Sequence, residues 1–381
     1  MPALNIYLRP VAGDCNLACG YCGYEETGAL GPVPGGVMSL ETLEAVVRRA
    51  MEEAEGQCGF VFQGREPMLA GLDFYTALLG LERKYNQKHL RVNHVLMTNG
   101  TLTTPKWGQF LTKNRFRVVV SLDGHKGLHN RYRVDRQRGR GTFAKAATTV
   151  QVLQNQGGDV QISAVVTPGT LADVKKAYGL LRGYGAEVLF APCAAGHSSP
   201  GGERLDLTPE EYGGFLTELF DLWYRDKLRS RAANIQYFTQ LLMMLQGGPP
   251  QTCALYGQCI ANYAVAADGS VYPCQYYCQP GWLLGNAGQD SFRDLADRQQ
   301  ALGFIQGSIG QDQACGRCQY MAFCRGGCRK DRLQNPDGTL GLSRYCQSYR
   351  IFFDHALPRL AYLAGVQNPL EAGAAEAGGP A

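Results

Sequence analysis

The chain contains no stretch approaching the roughly 18 consecutive apolar residues that a membrane span requires. Its first ten residues interrupt a short apolar run with Asn5 and Arg9, so there is no secretory signal of the usual form. Runs of basic residues are also missing. Lys and Arg are scattered, and a net charge of +4 over 381 residues is too slight to point to nucleic acid or another polyanion. The segment 367–381 holds no aromatic residue and is rich in Ala and Gly. It has too little apolar surface to order itself and is expected to stand outside the fold as a disordered tail. These absences read as a cytoplasmic protein without nucleic-acid or membrane partners. A 45% hydrophobic content is enough for one large or two ordinary domains.

Cysteine, by contrast, is abundant. Fourteen cysteines in a small secreted chain would signal a disulfide framework, but this chain is large and carries no export signal. Metal ligation or redox chemistry is the better reading, because thiolates are the usual ligands of iron-sulfur clusters.

Short β-type runs alternate with helical patterns through the first half. The expected strands are Leu4-Leu8, Phe60-Gln63, Val92-Met97, Val118-Leu122, Gln161-Val166 and Val188-Ala191. Ser39 and Thr142 each precede an amphipathic run as helix starts. Six strands with helices between them predict a parallel α/β sheet of the partial (β/α)6, TIM-like barrel type, with chemistry on the loops after the strands. Beyond Pro192 a Gly/Ser/Pro stretch leads to helices over Pro209-Leu228 and Ile235-Gln246. A hairpin is then expected, with Asp268-Gly269 as its turn. The expected domains are 1–235 for the barrel and 236–366 for a ligand-stapled second domain ending in a helix.

Cys15, Cys19 and Cys22 follow the first strand with spacings of three and two residues. Three thiolates leave one iron of a cubane open to a small chelating ligand, whereas four close it. A zinc knuckle short of one ligand is the alternative. This CxxxCxxC pattern resembles the radical S-adenosylmethionine (SAM) superfamily. The resemblance implies that SAM chelates the open iron and is cleaved by one electron to a 5′-deoxyadenosyl radical, with the protein aiming the cofactor's reactivity. Gln63-Gly64-Arg65-Glu66-Pro67 looks like that family's Gly-Gly-Glu-Pro segment. It departs at Arg65, which places a Cβ and a cation where the backbone is expected to approach SAM. On the same resemblance Glu66 holds the SAM amino group, Asn99 belongs to a matching cofactor-site segment, Ser121 and Asp123 lie near SAM ribose and substrate, and Arg133 meets the SAM carboxylate. Turn and cap chemistry is the alternative for these polar residues.

The run Cys315-x2-Cys318-x5-Cys324-x3-Cys328-x17-Cys346, with Cys253, Cys259 and Cys274 ahead of it, resembles the SPASM domain, a carrier of auxiliary clusters. The resemblance implies that Cys253, Cys259, Cys274 and Cys328 ligate one auxiliary [4Fe-4S] cluster and Cys315, Cys318, Cys324 and Cys346 a second. With the catalytic cluster this makes three. Two zinc sites are the alternative. Cys58 reads as a small buried hydrophobe, and Cys193 and Cys278 take no role.

Segments such as Thr98-Asn99-Gly100-Thr101-Leu102, Phe220-Asp221-Leu222-Trp223-Tyr224 and Tyr345-Cys346-Gln347-Ser348-Tyr349 extend the likeness over nearly the whole chain, to the anaerobic sulfatase-maturating enzymes. The resemblance implies oxidation of a Cys or Ser side chain of a sulfatase to formylglycine, and a reducing partner such as flavodoxin or ferredoxin. Where that family has a basic Asp, this chain has Gln275, whose carboxamide accepts no proton at neutral pH. Tyr24, Tyr276, Tyr277 or a histidine is expected to serve in its place, unless the reaction needs no such step. A maturase acting on a ribosomally made precursor peptide, by crosslinking or epimerisation, is the competing reading. Such maturases are expected to carry a leader-binding domain ahead of the barrel, and the sequence reads as starting at the barrel, which favours a protein target. A non-catalytic iron-sulfur protein is the third reading.

Overall fold

The computed structural model describes residues 3–13, 15–23, 36–194, 196–199, 201–367 and 369–370. Tyr24 and nearly all of the tail lie outside them. The described residues form two compact units. Unit 1 takes in Met1–Leu122, Lys126–Ser163 and Ala261–Gly303, and unit 2 takes in Asp123–His125, Ala164–Ile260 and Phe304–Ala381.

Unit 1 is built on a mainly parallel sheet. Its strands are β1 (Leu4–Leu8), β3 (Gln57–Phe62), β4 (Arg91–Thr98), β5 (Arg117–Ser121) and the first part of β7 (Asp159–Val166). They pair in that order, all parallel. Burial alternates along β3 and β4, where Phe60, Phe62 and Leu96 are buried and Val61, Val95 and Met97 are half-buried, and is continuous over Val118, Val119 and Val120 of β5. The parallel α/β class expected from the sequence is therefore what the chain adopts. The expected hairpin forms from β10 (Tyr263–Val265) and β11 (Ser270–Tyr272), and it extends this same sheet, β10 running parallel to β1 with Ile6 opposite Tyr263. A separate ribbon pairs β2 (Leu17–Cys19) with β6 (Arg133–Asp135).

Ser39 caps the helix Leu40–Glu53 by accepting the Thr42 N–H at 3.1 Å, and Leu43, Val46, Val47, Ala50 and Met51 form its buried stripe. Thr142 precedes the helix Phe143–Asn155 as expected but does not cap it. Its hydroxyl donates instead to the Arg133 carbonyl at 3.0 Å.

In unit 2, β8 (Glu187–Pro192) pairs in parallel with β9 (Asn234–Ile235). The helix Pro209–Lys227 starts with a capping box between Thr208 and Glu211. It packs along the C-terminal helix Cys346–Ala364, and Ser348 donates its hydroxyl to the Pro209 carbonyl at 2.6 Å. No described helix is long and apolar enough to cross a membrane.

Candidate metal centres

Cys15, Cys19 and Cys22 lie in the segment after β1, with Cys19 ending β2, and that segment is fixed from several sides. The β2–β6 ribbon sets Cys19 opposite Arg133. The Gly20 N–H donates to the Tyr132 carbonyl at 2.9 Å and the Cys22 N–H to the Cys19 carbonyl at 3.1 Å. Arg136 donates from Nε to the Cys15 carbonyl at 2.8 Å. Asn99, after β4, donates from Nδ2 to Asn16 Oδ1 at 2.9 Å and more weakly to the Cys15 sulfur at 3.9 Å. The three thiols are partly exposed. Burial pushes the Cys15 thiol up, the Leu17 N–H opposes that, and Glu66 and Cys22 add to the rise.

Glu66 is fully buried and bridges two loops. Its Oε1 accepts from the Met68 N–H at 3.0 Å and from the Thr98 hydroxyl at 2.9 Å, and its Oε2 accepts from the Asn99 N–H at 2.8 Å. Burial pushes this carboxyl up to about 7, against the pull of those three donors. Three of about four acceptor positions are thus filled by the protein itself.

The replaced glycine at Arg65 costs no backbone strain. The left-handed position in this turn is Gly64, at φ +110°, where a Cβ would press within 3.4 Å of the Arg9 side chain, and Arg65 has no positive φ. Gln63 gives its N–H to the Leu8 carbonyl at 2.9 Å, while its buried side-chain Nε2 finds no partner among the described residues. An orphaned buried donor beside this loop suits a site that takes a polar ligand.

Arg133 is buried, with its guanidinium 5.3 Å from the centre of the Tyr21 ring. Ser121 ends β5 half-buried. Asp123 belongs to unit 2 and is buried, its Oδ1 accepting the Val165 N–H at 3.0 Å. Its carboxylate thereby holds the backbone at Val165 in place.

Cys274 and Gln275 follow β11 in unit 1. Arg9 donates from Nη2 to the Gln275 carbonyl, and the Cys278 thiol lies 3.6 Å and 3.7 Å from the carbonyls of Cys274 and Gln275. Cys278 is buried against Ala264, Ala266 and Tyr272, and Tyr276 is exposed. Cys58 and Cys193 are buried as well, and burial pushes the Cys58 thiol up to about 12.

The remaining ligand candidates are in unit 2. Cys315, Cys318, Cys324 and Cys346 line one cavity of about 350 Å³, together with Arg317, Arg350 and Tyr320. In a second group burial raises the Cys253 thiol, with Cys259 adding to the rise, and Cys328 is pushed up to about 12 by burial, with Cys253 adding to the rise. Burial likewise takes Cys324 to about 11. Such thiols are protonated at neutral pH, so iron must displace their protons on binding. Among the described residues no three His, Cys, Asp or Glu side chains converge to hold a single metal ion. Four thiols spread round a cavity suit a cluster that brings its own core of iron and sulfide.

Sequence reasoning missed the β2–β6 ribbon and the Arg136 clamp. Both form from residues more than a hundred positions apart in the chain, and three-residue strands leave no periodic signal.

A three-cysteine loop after the first strand of a parallel sheet, followed by a cysteine-rich C-terminal region, defines a radical SAM enzyme with auxiliary clusters. Residues 10–181 match the Radical SAM superfamily and residues 258–319 match the SPASM iron-sulfur cluster-binding domain. The chain belongs to the anaerobic sulfatase-maturating enzymes. It is 38% identical to the cysteine-type anaerobic sulfatase-maturating enzyme of Clostridium perfringens, over 96% of this chain and 99% of that one. It is 28% identical to the serine-type enzyme of Bacteroides thetaiotaomicron, over 94% and 91%. Its fold is similar to that of native anSMEcpe with bound AdoMet and Cp18Cys peptide, with a TM-score of 0.88 and 36% identity, covering 96% of this chain and 99% of that one.

Proposed function

We propose that this protein oxidises a cysteine side chain of a sulfatase-type peptide to formylglycine, and that it does so in the cytoplasm with a flavodoxin or ferredoxin as electron donor. The observation that carries this reading is the Cys15–Cys19–Cys22 loop, held by the Asn99 and Arg136 ties on a chain that is 38% identical to a cysteine-type maturase. When bound, the cluster and SAM supply a radical that takes a hydrogen from the substrate Cβ, and the auxiliary clusters supply an acceptor for the second electron.

The chain's own residues then have distinct tasks. Cys15, Cys19 and Cys22 hold the catalytic cluster, and the eight C-terminal cysteines hold the two auxiliary ones. Glu66 orders the loops after β3 and β4, so that Gly64, Arg65 and Asn99 present their polar groups to SAM. Gln63 offers its spare amide donor, and Ser121 and Arg133 complete the cofactor site. The radical domain spans 1–235 and the cluster domain 236–366.

Gln275 bears on the choice of substrate. A thiol ionises near pH 8.5, whereas a serine hydroxyl does not ionise in the accessible range, so a site without a carboxylate base still handles the thiol. Lack of that base therefore favours Cys over Ser as the target.

Anaerobic reconstitution, with SAM, dithionite and a peptide carrying Cys-x-Pro-x-Arg, tests the reading. The peptide mass should change as replacement of the CH2SH group by an aldehyde requires, alongside 5′-deoxyadenosine. Formation of 5′-deoxyadenosine with an unchanged peptide would refute the substrate and retain the radical chemistry.

A further inference from the structure

Arg332 opens a short strand in unit 2 and is buried. A guanidinium out of water ordinarily faces a carboxylate. Arg332 has none in an ion pair among the described residues, and its N–H groups are taken up by main-chain carbonyl oxygens. Nε donates to Gly326 at 3.1 Å, Nη1 to Ser308 at 2.9 Å and to Gly310 at 2.8 Å, and Nη2 to Gly257 at 2.9 Å, with longer contacts to Arg325 and Gly327. The surroundings are shaped for it. Gly326 has φ +80°, and a Cβ there would come within 2.8 Å of the guanidinium.

These carbonyls belong to the segments that carry cluster ligands. Gly257 lies two residues before Cys259, and Gly326 and Gly327 lie between Cys324 and Cys328. Ser308, whose carbonyl receives Nη1, takes the Cys259 N–H on its hydroxyl at 2.8 Å. The Arg332 charge acts on the thiols of Cys315, Cys259 and Cys328, which come from both ligand sets. Carbonyl dipoles solvate a cation without neutralising it. A four-thiolate cluster is anionic, and gains a further negative charge on reduction.

We propose that Arg332 is a counter-charge shared by the two auxiliary clusters, a buried cation set among the ligand segments of both that favours their reduced states and so holds both reduction potentials up. The inference rests on the eight C-terminal cysteines being cluster ligands. Net charge and hydrogen bonding near the sulfurs are established levers on such potentials. Arg332 is thus a positioning residue for the electron-accepting half of the reaction, acting through the clusters and not on the substrate.

The test uses the full chain with Cys15→Ala, Cys19→Ala and Cys22→Ala, so that only auxiliary clusters contribute to the spectra. Iron and sulfide content and an EPR-monitored redox titration are compared for this parent, for Arg332→Lys and for Arg332→Gln. The expected result is two clusters in the parent, near-parental potentials in the Lys variant, and a lowering of both midpoint potentials in the Gln variant. If Gln blocks loading while Lys loads at near-parental potentials, the counter-charge role also stands. Parental potentials in a fully loaded Gln variant, a shift of one cluster alone, or failure of both variants to load would overturn it. A parent that does not load with Arg332 intact would refute the ligand reading itself, and the inference with it.

Discussion

The carboxylate of Glu66 accepts the backbone N–H of Asn99 at 2.8 Å, and through that bond the loop after β3 fixes the loop after β4. Asn99 in turn holds Asn16 beside Cys15. A buried carboxylate is thus two hydrogen bonds away from the Cys15 sulfur.

Glu66→Ala leaves the N–H groups of Met68 and Asn99 without their acceptor and is expected to cost about 2–4 kcal/mol of stability. Burial raises the carboxyl to about 7 in the folded chain from an ordinary value of 4.5. The native state therefore holds this proton more tightly than the unfolded state, and the contribution is full below pH 4.5 and lost as pH rises through about 7. Denaturant unfolding of the metal-free chain at several pH values should show that slope, and Glu66→Gln, which cannot titrate, should remove it.

Asn99→Ala removes the tie to Asn16 and the weak donor to the Cys15 sulfur. The Cys15 loop should load its cluster less completely, and 5′-deoxyadenosine production should fall about tenfold or more, in line with the effect of losing support around metal ligands. An unchanged iron content together with unchanged SAM cleavage would show the tie to be dispensable.

Gln275→Asp places a carboxylate directly after Cys274. Turnover of a Ser-containing peptide should rise, and more steeply than that of the Cys peptide, because only the hydroxyl depends wholly on an acceptor for its proton. In the unaltered protein the rate with the Cys peptide should climb toward about pH 8.5 with the ionisation of the substrate thiol. A flat profile across that range would mean that a group on the protein takes the proton.

Gly213 and Gly214 are neighbours on one helix with opposite surroundings. A Cβ at Gly213 would meet Ile351 and the Ser348 backbone at 3.0–3.1 Å, whereas at Gly214 nothing lies within 4 Å. Gly213→Ala should destabilise by about 1–3 kcal/mol through overpacking. Gly214→Ala should stabilise by about 0.5–1 kcal/mol through helix propensity. Thermal unfolding of both variants measures the contrast.

Composition and local pattern determined a good deal by themselves. The strands were legible because buried parallel strands read as short apolar runs, and most found ends fall within a few residues of those expected. Ser39 worked as a cap because capping is local, and the cysteine spacings carried the family because ligand geometry constrains spacing. What the tertiary structure decided was every relation between distant segments. Thr142 turned its hydroxyl to the Arg133 carbonyl, because β6 lies within reach once the chain has folded. Arg65 proved free of strain because its neighbour Gly64 takes the left-handed backbone. Glu66 was recognisable as a motif residue, but not as the acceptor of three protein donors. Arg332, one basic residue among many in the sequence, became a buried cation only when six carbonyls from three segments closed around it. Local preferences are written residue by residue, but a buried polar group acquires its partners, and hence its role, only from the packing that takes it out of water.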